Sequence, residues 1–114
     1  MSIYFSCPDG HPWKDSISRA LREEFGTVIE SPSIKASNCT LCMNELEVKA
    51  FPLIDKCDKL ATFQYQDSCR LDCELYYAAL EGKKLYLVEI SLDLEDIDIE
   101  PISLKEYSII RRYK

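Results

Sequence analysis

From Lys84 to Leu94 nearly every second residue is apolar, so Tyr86, Val88, Ile90, Leu92 and Leu94 share one face. That period of two predicts a long β-strand. The same alternation runs through Glu45–Ala50, where Leu46, Val48 and Ala50 interleave with Glu45, Glu47 and Lys49. It predicts a half-buried strand ended near Pro52. Short apolar or β-branched runs add strands at Ile3–Ser6, Thr27–Glu30 and Ala61–Gln66. Ile97 and Ile99 carry some alternation on towards Pro101, and Tyr107–Tyr113 is a last strand candidate.

A period near 3.6 governs two other segments. Trp13, Ile17, Ala20, Leu21 and Phe25 fall on one helical face, after a turn at Cys7–His11 and with Pro12 at the first helical position. Gly26 is a natural stop. Asp67–Glu81 predicts a second helix ending at Gly82; its first residues also alternate, but the run Leu75–Leu80 favours a well-buried helix. Within it, Cys69, Cys73, Tyr76 and Leu80 form a stripe that reads as core. The order β-α-β-β-β-α-β-β predicts an α+β fold, a single compact domain over residues 1–114, with a mostly antiparallel sheet and two helices packed on it.

Charge narrows the partners. The chain of 114 residues carries a net charge of −6, and residues 67–106 hold 11 acidic against 4 basic side chains. Such a balance disfavours direct nucleic-acid binding, which needs cations against phosphate. It favours a basic protein surface, such as that of a nucleic-acid-handling enzyme. Asp93, Glu95, Asp96, Asp98 and Glu100 crowd five carboxylates into eight positions and are the expected partner-binding residues. The glycine and ligand register of a calcium loop are missing there. Tyr107 and Tyr113, beside Arg111, Arg112 and Lys114, add a small basic-aromatic tail.

Six cysteines and one histidine supply the remaining chemistry. The N-terminus has neither a basic leader nor a membrane-length apolar run, so the expected compartment is the cytoplasm, where thiols stay reduced. Cys39 and Cys42 form a CxxC knuckle able to hold two corners of a zinc tetrahedron. Cys69 and Cys73 could complete a structural zinc site; Cys57, or Cys7 with His11, could substitute. Alternatively Cys69 and Cys73 are small core residues. Cys7 and His11, between a strand and a helix N-terminus, are candidates for nucleophilic chemistry, although the arginine of a phosphate loop is replaced by Trp13.

The segment Phe63–Ala78, followed by Lys84–Ile90, resembles part of small ADP-ribosyltransferase-like folds. The resemblance implies a strand, a helix ending near a Tyr-Ala pair and a long strand, with NAD as ligand. The histidine or arginine that would hold NAD on the first strand is absent from Ile3–Ser6. The leading expectation is a protein-binding module of the inhibitor, immunity or anti-defence type. The alternatives are a small enzyme, through an NAD scaffold or Cys7 and His11, and a zinc-stabilised interaction module.

Overall fold

A computed structural model describes residues 2–7, 12–32, 44–63, 69–90 and 96–107. Strand β1 (Ser2–Ser6) is buried on both faces, as befits the interior of a parallel sheet. Ile3 and Phe5 project to one side, and Tyr4 and Ser6 to the other. Helix α1 (Lys14–Phe25) buries Ile17 and Leu21. At its end Gly26 takes φ 93°, which a side chain would oppose, and its N–H closes on the Arg22 carbonyl at 2.9 Å. Strand β2 (Thr27–Glu30) follows directly.

The strand expected over Glu45–Ala50 is not there. A π-helical segment, α2 (Leu46–Ala50), runs into α3 (Phe51–Asp55). Leu46, Ala50 and Ile54 recur at intervals of four and are all buried, while Val48 is 76% exposed. Pro52 explains the widened turn. It lacks an N–H, and just before it the Phe51 N–H reaches back five residues to the Leu46 carbonyl. Strand β3 (Lys59–Thr62), helix α4 (Cys69–Leu80), strand β4 (Lys84–Ile90) and strand β5 (Ile97–Ile102) complete the order.

The five strands form one sheet in the order β2-β1-β3-β4-β5. β1 pairs parallel with β2 and β3, β3 pairs parallel with β4, and only β4–β5 is antiparallel. This overturns the mostly antiparallel sheet with two helices. Because residues 46–55 between β2 and β3 are helical, helix-bearing crossovers link each successive strand from β1 to β4, and such crossovers make neighbours parallel. Pro101 sits on the edge strand β5, where its missing N–H is tolerated.

Helices cover both faces. α1 packs on Ile3, Phe5, Ala61, Phe63 and Val88. α2, α3 and α4 pack on Tyr4, Leu60 and Leu85. Of the strand expected at Tyr107–Tyr113, Tyr107 instead belongs to a helical turn that includes residues 104–107, and the rest lies outside the described residues. Ser103 and Glu106 cap that turn reciprocally: the Glu106 N–H donates to Ser103 Oγ at 3.1 Å, and the Ser103 N–H donates to Glu106 Oε1 at 3.0 Å. Among the described residues no helix is long and apolar enough to cross a membrane.

Candidate functional site at the carboxyl ends of β1 and β3

The chain leaves β1 through α1 towards β2, then returns past β1 to β3 and continues through α4 to β4. The winding therefore reverses between β1 and β3. In open parallel sheets this reversal leaves a crevice at the strands' carboxyl ends, and ligands bind there. Ser6 and Thr62 close the two strands at that edge and are register partners.

Above them stands Glu74. On α4 the buried positions Leu71, Glu74, Leu75 and Ala78 form a stripe at steps of three, one and three. A carboxylate thus occupies the face that packs on the sheet. Tyr4 Oη donates to Glu74 Oε2, and Ser6 Oγ donates to Oε1 at 3.3 Å. Tyr4, Ser6, Thr62 and Glu74 are all 0% exposed. Thr62 belongs to the same group by strand alternation: Leu60 packs with Tyr4 on the α4 side, while Ala61 and Phe63 face α1. Its Oγ1 has no hydrogen-bond partner among the described residues.

Hydroxyl donors on both oxygens fix the orientation of the carboxyl group. Nearby on α4, Asp72 accepts a hydrogen bond from Tyr107 Oη at 2.6 Å. The resulting site holds a fully buried carboxylate, oriented by two hydroxyls, where the winding of the sheet reverses. None of its four residues was singled out from the sequence, though Glu74 within an otherwise apolar helical stripe was a visible signal.

The sequence-predicted residues fall elsewhere. Cys7 is buried with Ile3, Phe5 and Ile17 on the α1 face, the opposite side from Glu74, and His11 lies outside the described residues. Cys39 and Cys42 also lie outside them. Cys69 opens α4, and Cys73 is half-buried against the α4-side core. The expected core stripe on α4 is corrected: Tyr76 is 41% and Leu80 85% exposed, because Leu71, Leu75 and Ala78 form the face that meets the sheet. Among the described residues no group of three or more His, Cys, Asp or Glu side chains could hold a metal ion. At the amino edge, burial pushes the Cys57 thiol pKa up, with neighbouring Asp58 adding to the shift.

Of the acidic run, Asp93 and Glu95 lie outside the described residues, whereas Asp96, Asp98 and Glu100 are exposed. Asp98 faces Glu89 across the β4–β5 ladder. Ile97 and Ile99 turn the other way, against the α1-side core. No protein-family model, curated protein or solved structure matches this chain.

Proposed function

We propose that this protein is an enzyme that breaks the glycosidic bond of a nucleoside or nucleotide, with Glu74 as its nucleophile. The observation that carries this reading is the placement of Glu74, held by Tyr4 and Ser6 at the carboxyl ends of β1 and β3, where the winding of the sheet reverses. Strand-end crevices of this topology suit nucleotide-sized ligands. A fixed carboxylate suits a reaction whose transition state carries positive charge at the anomeric carbon.

In the first step Glu74 Oε1, the oxygen that accepts from Ser6, attacks the anomeric carbon. The bond to the base breaks, and its electron pair leaves with the base, which takes a proton from solvent. Water or the hydroxyl of an acceptor then attacks the same carbon, releases the sugar, restores the carboxylate and gives up a proton. The NAD-using enzyme, one of the alternatives to the protein-binding module expected from the sequence, falls within this class, since the nicotinamide of NAD is an N-glycoside; there the nicotinamide leaves neutral and takes no proton.

Chromatography of free base released from a panel of nucleosides, nucleotides and NAD tests the proposal. Release by the wild type, lost by about a thousandfold or more in Glu74→Gln, supports it. No release from the panel, or release undiminished in the variant, sinks it.

A second reading keeps the acidic surface as a docking site for a basic protein. It is favoured by Asp98 standing directly opposite Glu89, since facing like charges cost stability across a sheet. Affinity for a basic probe protein should fall with added salt and on neutralising Asp93, Glu95, Asp96, Asp98 and Glu100. Binding indifferent to both changes would remove this reading.

A further inference from the structure

Thr62 is the one side chain of the buried quartet whose polar atom has no partner among the described residues. Tyr4 and Ser6 direct their hydroxyls at Glu74. Thr62, the register partner of Ser6 and neighbour of Leu87, projects on the same side of the sheet. An unsatisfied buried hydroxyl lowers the stability of a fold. A group that completes its hydrogen bonds on binding accounts for the Thr62 hydroxyl at this position.

We infer that Thr62 reads the hydroxyl on the sugar carbon next to the reacting one, so that the substrate is a ribosyl rather than a 2-deoxyribosyl compound. This rests on the glycosidic reading above. A threonine hydroxyl both donates and accepts, and so can pair with a sugar hydroxyl in either sense. The carbon attacked by Glu74 carries that hydroxyl on its neighbour, and Thr62 stands one strand across from the serine holding Glu74. Hydrogen bonds to this hydroxyl strengthen as the glycosidic bond breaks. Thr62 therefore acts on rate as well as on binding. The other buried oxygens without hydrogen-bond partners do not belong to this quartet: Ser18 Oγ lies on α1 at the opposite face, Asp58 Oδ1 at the amino edge, and Glu45 Oε2 pairs with the Lys49 ammonium at 3.6 Å.

The test compares wild type, Thr62→Val and Thr62→Ser for melting temperature and for kcat/KM on adenosine and 2′-deoxyadenosine, with other matched pairs in parallel. Thr62→Val keeps the shape and removes the hydroxyl. It should melt at or above the wild-type temperature and lose about tenfold or more in kcat/KM on ribosyl substrates. Its activity on the deoxy partners should fall less than on the ribosyl ones, so that the ribosyl-to-deoxyribosyl ratio drops, and Thr62→Ser should restore the preference. A lower melting temperature in Thr62→Val would show a structural partner for the hydroxyl and overturn the inference. So would an unchanged ribosyl-to-deoxyribosyl ratio in a wild type that is active and loses activity in Glu74→Gln; that result spares the role of Glu74. A wild type inert on every pair overturns both.

Discussion

The Tyr4 hydroxyl donates to the Glu74 carboxylate across 70 positions of sequence, joining the interior strand β1 to helix α4. Tyr4→Phe removes this donor and keeps the ring. Because a hydrogen bond to a charged group contributes about 1.5–3 kcal/mol, the variant should lose that much stability in denaturant unfolding. Glu74→Gln should cost less in the Tyr4→Phe background than in the wild type, a coupling of about 0.5–3 kcal/mol. Strictly additive losses would mean that the two side chains act independently.

The helix over residues 46–55 makes an unequal prediction for two neighbouring apolar residues. Leu46→Ala should cost about 2–5 kcal/mol, because its side chain fills the core. Val48→Ala should change stability by no more than about 0.5 kcal/mol, since Val48 is 76% exposed. A strand with Leu46 and Val48 on one buried face would penalise both, and unfolding curves separate the outcomes.

Tyr77 gives a pH dependence. Its hydroxyl donates to Asp55 Oδ1 at 2.7 Å, and this bond, chiefly, raises its pKa from the ordinary 10.0 to about 12. Folding therefore holds the proton more tightly than the unfolded chain does. The stability it contributes is fully present below pH 10 and is lost as pH rises through about 12. The stability difference between wild type and Tyr77→Phe, followed by urea unfolding, should be constant up to about pH 10 and shrink above it. A difference that grows between pH 10 and 12 would contradict the assignment. The ring itself stacks on Phe51 at 3.9 Å between centroids, a contact that phenylalanine preserves.

On the edge strand, Asp98→Lys would place a cation opposite Glu89. Stability should rise by about 0.2–1 kcal/mol, and the gain should fade with added salt. A loss of stability would mean that Asp98 has a favourable partner in the native protein.

What could be read in advance follows from the range over which each signal acts. Helix α1 was legible because Ile17 and Leu21 repeat within one element and Gly26 ends it. Glu45–Ala50 misleads because Leu46 and Ala50 belong to two periods at once: the alternation of Leu46, Val48 and Ala50, and the four-residue step of Leu46, Ala50 and Ile54. Only the burial of Ile54 and the exposure of Val48 decide between them. The parallel sheet was not legible, since alternation shows that a strand's faces differ without naming its neighbour. The order β-α-β-β-β-α-β-β, with a strand at Glu45–Ala50, points to antiparallel pairing that the helix there removes. Ser103 and Glu106 at capping spacing were a missed local signal. Glu74 was half legible: a lone carboxylate among Leu71, Leu75 and Ala78 signals a buried charge, but its partners Tyr4 and Ser6 lie far away in sequence.

The role of Glu74 is tested most directly by the fate of the anomeric carbon. When methanol replaces water as acceptor, nuclear magnetic resonance of the methyl glycoside reports the configuration at that carbon. Attack by Glu74 followed by attack of methanol inverts it twice, so the product should keep the configuration of the substrate. An inverted product would show that no bond to Glu74 forms and would contradict the mechanism proposed for this site.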